Sequence, residues 1–287
     1  MPEIIQKGYF ERMRLRKING ITLFYNPSDL DTVEVICDSS TRALRLIQDN
    51  WGIEKPADCQ IYVMTSWWGF FFQSAPWFWR ILLAVSFPLW GFQARRMWPY
   101  SAAWTQRYGH RVAIGIKPPR LLEVSDKSIG VQMFVEEKDT NTKLRHLTCH
   151  ELTHACSTPL RLPAWLNEGL AAVTVDRYLG KDTIRRDTLD LIRSFEPKGR
   201  PPTYRELSHL KANAIAYYSL LGYWLVRYLE ERCPGFLKRL FSSSPISRML
   251  ESEIAAELGV ALDGFWSKIP DVVVAYFEMK VPGIGQG

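Results

Sequence analysis

An α+β fold is predicted for this 287-residue chain, with a small mixed α/β lobe over residues 1–139 and a mainly helical lobe over residues 140–287. Three observations predict it. Short runs of strand character, at 20–25, 60–64, 111–117 and 129–135, all fall before residue 140. After that point apolar residues recur at helical spacing, and turn-forming pairs such as Pro201-Pro202 and Pro234-Gly235 divide the segments. Hydrophobic residues make up 47% of the chain, enough for a core at this length.

Residues 1–20 are polar and basic, with Arg12, Arg14, Arg16 and Lys17 and no apolar run, so no signal peptide and a cytoplasmic setting are expected. The five cysteines (Cys37, Cys59, Cys149, Cys156 and Cys233) show no CxxC spacing and read as reduced thiols. Residues 20–25 (GITLFY) predict a strand. Pro27-Ser28-Asp29 predicts a helix start with Ser28 as N-cap, and Leu30, Val33, Ile36, Leu44 and Ile47 carry the helical spacing toward Trp51. Residues 60–64 (QIYVM) predict the next strand.

The following stretch has a different composition. Between Cys59 and Leu122 there is no Asp or Glu, while Arg80, Arg95, Arg96, Arg107, Arg111, Lys117 and Arg120 all lie there. The net charge of the whole chain is +6, so the rest is close to neutral. Seven of the eleven tryptophans fall in the same stretch. Within it, an insertion at about 66–108 runs from Trp67 to Trp98 with Arg80 as the one charge before Arg95. That length would suffice for a span of about 20 apolar residues, but Pro76, Pro88 and Arg80 are expected to interrupt a plain span. Tryptophan and arginine together favour the interfacial zone of an anionic bilayer. A monotopic helix or hairpin lying in one leaflet is therefore expected, at the cytoplasmic face of a membrane. The alternative is a buried aromatic insertion covering a cleft. Nucleic acid is not expected as a partner, because the aliphatic run at 81–85 has no use on a base-stacking platform.

Residues 111–117 (RVAIGIK) predict a strand closed by Pro118-Pro119, and 129–135 (IGVQMFV) another, followed by a turn at 138–141. A helix capped by Thr140, Asn141 or Thr142 is expected to run to about Ser157. The next helix begins at Pro163, where proline is tolerated, and closes near Leu179-Gly180. Further helices are expected over 182–195, 212–232, 236–241, 246–258 and 262–277, with a loop at 196–202.

The helix ending near Ser157 carries His150-Glu151-Leu152-Thr153-His154. Positions i and i+4 share one helical face, so both imidazoles can bind one metal ion. Glu151 lies beside that face, where it can accept a proton from water on the ion. Only five histidines occur in the chain, which makes chance pairing at this spacing improbable.

Eleven residues past His154, the next helix reads Trp165-Leu166-Asn167-Glu168-Gly169-Leu170-Ala171. Here the chain resembles the gluzincin metallopeptidases, whose third zinc ligand is a Glu within N-E-x-x-A. The resemblance spans residues 144–178, with a looser match to about Leu229. It implies a zincin-like fold and a zinc site of His150, His154 and Glu168, with Glu151 as general base. The corresponding donor from a later helix, which stabilises the oxyanion, falls on Tyr218, with Tyr217 as the alternate. In zincins an edge strand before the metal helix holds extended substrate, and residues 129–135 are the candidate here. Asp176 and Asn167 are the nearest polar candidates to support the histidines. The gap between His154 and Glu168 is shorter than in the aminopeptidase branch and favours the compact peptidase MA-like form. No G-A-M-E-N-like segment precedes the motif, so endopeptidase action on a peptide or protein is implied. A non-catalytic membrane adaptor, or a zinc hydrolase of non-peptide amides or esters, are the alternatives. The sequence does not specify an oligomeric state.

Overall fold

The computed structural model describes residues 13–99, 101–125, 133–195, 199–207, 209–242 and 250–280. The chain is mixed α/β, with a small five-stranded N-terminal sheet and a helical C-terminal part. It groups into two compact units, one holding the described residues of Met1–Arg42, Lys55–Lys127 and Glu137–Ala155, the other those of Ala43–Glu54, Ser128–Glu136 and Cys156–Gly287.

In the first unit, β1 (Arg14–Ile18) and β2 (Ile21–Tyr25) form a hairpin through Asn19-Gly20, both at positive φ. That turn matches the right-handed twist of the strands it joins. β3 (Asp58–Val63) and β5 (Arg111–Ile116) run parallel to β2, and β4 (Ala103–Tyr108) closes the far edge antiparallel to β5, giving the order β1-β2-β3-β5-β4. The central strands β3 and β5 are buried at almost every position, as parallel strands covered on both faces should be. β1 instead exposes Arg14 and Lys17 along the outer edge, which discourages pairing with another chain. Arg111 Nε donates to Asp58 Oδ2 at 2.8 Å where the two strands begin.

α1 (Leu30–Trp51) follows a 3-10 turn at Pro27–Asp29. Ser28 lies inside that turn and not at the cap; the cap position is Asn26, whose side chain makes no capping bond. Asp29 is buried and paired with Arg120, which supplies the charge compensation a buried carboxylate needs.

The tryptophan-rich stretch forms two helices, α2 (Trp67–Ser74) and α3 (Trp77–Met97), broken at Ala75-Pro76. Ser66 caps α2 by accepting from Gly69 N at 3.0 Å. Pro88 does not interrupt α3 but lies inside it. Arg80 turns back, with Nε donating to Ala75 O at 2.8 Å and one terminal nitrogen to Gln73 O, so its charge serves the carbonyl end of α2. Phe70, Phe71, Ala94 and Tyr108 form an aromatic core on which Trp67, Trp79, Trp90, Trp98 and Trp104 pack. No helix of the described residues is long and apolar enough to cross a membrane. α4 (Pro119–Ser125) completes the stretch. α5 (Thr140–Ser157) carries the histidine motif.

In the second unit, α6 (Ala164–Leu179) starts after Pro163 and stops at Gly180, which takes the left-handed conformation at φ 68. α7 (Thr188–Ser194) is shorter than the helix expected over 182–195, because Ile184 is drawn into an antiparallel bridge with Phe134. Val135 N donates to Thr183 O at 2.8 Å and Arg185 N to Met133 O at 2.9 Å. Of the strand expected at 129–135 only residues 133–135 are described, and they pair with this segment and not with the sheet. Residues 196–198 of the expected loop lie outside the described residues.

α8 (Tyr204–Leu207), α9 (Ala212–Arg232), α10 (Phe236–Ser242), α11 (Leu250–Leu258) and α12 (Phe265–Met279) complete the unit. α6 and α9 meet backbone to backbone at Gly169 and Gly222. A Cβ on Gly222 would lie 1.9 Å from Trp165 O, and one on Gly169 2.3 Å from Gly222 O. Trp51 enters this core fully buried and donates through Nε1 to Thr174 Oγ1 at 2.8 Å.

Candidate metal centre

α5 starts where Asp139 caps it. Its carboxylate accepts from Asn141 N, Thr142 N and Thr142 Oγ1 at 3.3, 3.0 and 2.6 Å. The cap is therefore one residue earlier than Thr140, since a carboxylate at that position reaches the open amides of the first turn. Hydrogen bonds from Thr142, the side chain's first, hold the Asp139 carboxyl below its usual range.

One side of α5 is packed by Leu144, Cys149, Leu152, Ala155 and Cys156, all buried. Thr148 and Thr153 share the interior because their hydroxyls donate to the carbonyls of Leu144 and Cys149 at 2.7 and 2.9 Å. Burial pushes the Cys149 thiol well above its usual range, so it is held as a thiol and belongs to the packing. His146, His150 and His154 are partly exposed. The rings of His150 and His154 stand at 89° to each other with their Nε2 atoms 3.0 Å apart.

Glu151 is buried, and Thr105 Oγ1 on β4 donates to its Oε2 at 2.5 Å. One carboxylate oxygen is thus fixed by a neutral donor that carries no competing charge.

Glu168 is presented by the second turn of α6. Tyr204 OH donates to Glu168 Oε1 at 2.9 Å and accepts from Asn167 Nδ2 at 2.8 Å. Asn167 Oδ1 in turn accepts from Ser157 Oγ at 2.5 Å. Ser157, Asn167 and Tyr204 thereby form a chain of hydrogen bonds that ends on the Glu168 carboxylate. Tyr204 itself is placed by a capping box: Thr203 N donates to Glu206 Oε2 at 2.7 Å and Glu206 N to Thr203 Oγ1 at 3.4 Å.

His150, His154 and Glu168 each offer one ligand atom, and these atoms lie within 4.8 Å of one another. Tetrahedral ligands at about 2.0–2.1 Å from zinc stand roughly 3.3 Å apart. The Nε2 pair at 3.0 Å needs to open by only a few tenths of an ångström. Two imidazoles and a carboxylate are also the donor chemistry of a three-ligand zinc site with one position open. The residues present fit the ion.

The chain matches no family model and no curated protein.

Tyr217 is fully buried and stacked on Phe195 with ring centroids 4.1 Å apart, and its hydroxyl is enclosed with no hydrogen-bond partner among the described residues. Tyr218 is buried edge-on to Tyr217. Asp176 does not support the histidines. It accepts from Thr183 N, Thr183 Oγ1 and Tyr223 OH at 2.6–2.7 Å and ties the end of α6 to α9. Asn167 supports Glu168 through Tyr204. Tyr204 and Thr105 lie outside both motifs, so the motif spacing does not point to them. Both carried a signal: Thr203-x-x-Glu206 is a capping-box pattern that starts a helix at Tyr204, and Gly109-His110 is a two-residue turn that makes residues 103–108 the partner strand of 111–116.

Proposed function

We propose that the chain is a zinc-dependent peptidase of gluzincin type with a zincin-like fold, acting as an endopeptidase. The observation that carries this reading is the convergence of one donor atom each from His150, His154 and Glu168 within 4.8 Å, with the Glu151 carboxylate held on the same helix by Thr105. His150, His154 and Glu168 would hold a zinc ion, which would supply Lewis-acid chemistry at the site. Glu151 accepts the proton of the attacking water at its carboxylate and delivers it to the leaving amine. Thr105 keeps that carboxylate in place while the proton moves. Tyr204, by donating to Glu168 Oε1, positions the carboxylate that would help hold the ion. Tyr218 is the proposed donor to the oxyanion, in preference to the enclosed Tyr217.

The strand that contacts the motif through Thr105 is β4. β4 is the last strand of the sheet among the described residues, so its outer edge offers backbone donors and acceptors to an extended peptide. The test is Glu151→Gln assayed on peptide, amide and ester substrates. The proposal requires peptide hydrolysis by the wild type and its loss in the variant with zinc retained. Hydrolysis that survives the change excludes Glu151 as base, and activity confined to esters or non-peptide amides replaces the peptidase reading.

A further inference from the structure

Helix α3 is apolar on both sides, and only one side is covered. Trp79, Leu83, Trp90 and Ala94 pack on the aromatic core. Trp77, Phe78, Ile81, Val85, Leu89 and Phe92 are exposed, by 73% for Trp77, 76% for Val85, 87% for Leu89 and 78% for Phe92. At 100° per residue these six positions fall within an arc of about 120° and extend along roughly 22 Å of helix. They present on the order of 700 Å² of apolar surface, above the patches that monomeric proteins ordinarily leave in water.

The charges are arranged to match. Arg80, the one charge of α3 before Arg95, is turned into the carbonyl end of α2 and away from this stripe. Arg95 and Arg96 are exposed at the last turn, at angles that place both within or beside the same arc. Between Cys59 and Leu122 no acidic residue is available to meet them. A second copy of this face would bring two arginines and no carboxylate. Phosphate headgroups supply the missing negative charge, and acyl chains the missing apolar cover.

From this arrangement we infer that the exposed stripe of α3 is a membrane-docking surface. The helix lies parallel to the bilayer plane, its stripe enters the upper acyl region of one leaflet, and Arg95 and Arg96 bind anionic headgroups. This inference does not depend on the metal site.

The test is flotation of the full chain with vesicles of phosphatidylcholine alone and with phosphatidylserine added. Wild type is expected to float with the mixed vesicles and to bind at least tenfold less to phosphatidylcholine alone. Arg95→Gln with Arg96→Gln is expected to weaken binding to the mixed vesicles by about thirtyfold. Leu89→Glu with Phe92→Glu is expected to abolish it while the far-ultraviolet spectrum and melting transition stay those of the wild type, since both side chains are already in water. His150→Ala is expected to float like the wild type. Failure of the wild type to bind either vesicle overturns the proposal. So does a wild-type dimer, seen by light scattering, that the Leu89 and Phe92 changes dissociate without any vesicle binding in the wild type.

Discussion

Replacing Gly222 by alanine perturbs the helix pair that presents Glu168. The new Cβ would sit 1.9 Å from Trp165 O and 2.8 Å from Trp165 C, whereas ordinary contact begins at 3.4 Å. The backbones of α6 and α9 must therefore separate by about 1.5 Å at this point, or the methyl must push Trp165 aside. Trp165 is itself buried and packed edge-on to Trp266 with centroids 5.0 Å apart, so it has little room to yield. Overpacking of this kind costs about 1–3 kcal/mol. The gain in helix propensity from glycine to alanine offsets at most about 1 kcal/mol. A net destabilisation of about 1–2 kcal/mol is expected, read as a lower midpoint in urea with an unchanged slope. Glu168 is one helical turn from Trp165, so the same displacement should weaken metal binding at least tenfold in a chelator competition. Gly169→Ala, with its Cβ 2.3 Å from Gly222 O, should behave alike. A Gly222→Ala variant as stable as the wild type or more so, with unaltered metal affinity, would refute the close helix contact and its link to the ligand.

Tyr204→Phe removes the donor to Glu168 and should lower metal affinity by about 10–100-fold, whereas Tyr218→Phe should leave affinity unchanged and reduce kcat by about 100–1000-fold if Tyr218 faces the oxyanion; equal metal affinity in wild type and Tyr204→Phe would show that the hydrogen-bond chain does not position the ligand. Lys117 is buried, donates to Trp98 O at 2.6 Å, and is drawn by desolvation from 10.5 to about 8. Between those values the unfolded chain binds the proton and the folded one does not, so this residue's contribution makes the folded state more stable as pH rises from about 8 toward 10.5. Lys117→Met should flatten that part of the stability curve; an unaltered slope would place the amine in water.

The fold and the site were legible in the sequence to different degrees, for physical reasons. α9 was readable end to end because Ala212 and Pro234 bracket one uninterrupted helical period. α6 was fixed by Pro163 and Gly180, residues whose backbone preferences are local. β1 was missed although Asn19-Gly20 marks a hairpin, because its alternation of Arg14, Arg16 and Lys17 is that of a charged edge and lacks an apolar face. β4 was hidden by a similar cause: its residues are half-exposed, and its role comes from register with β5, a tertiary fact. Residues 133–135 look like strand in the sequence and do pair, but their partner is residues 183–185, which no periodicity announces. At the site, the two histidines declare themselves through helical spacing alone. Glu168 was reached through the wording of its motif, while Thr105 and Tyr204 stand 46 and 36 residues from the carboxylates they bond. Such contacts are written in packing and not in local pattern. In the aromatic insertion Trp79 and Trp90 face a core, and Trp77 and Phe92 face outward, a division that composition alone does not specify.

The most direct measurement is the zinc content of the purified chain after exposure to the metal and gel filtration, for wild type, His150→Ala and Glu168→Ala. One zinc per chain in the wild type, lost from both variants while their melting profiles show a folded protein, is the predicted result. A folded wild type that retains no added zinc, or variants that retain it undiminished, would contradict the three-ligand centre on which the proposed chemistry stands.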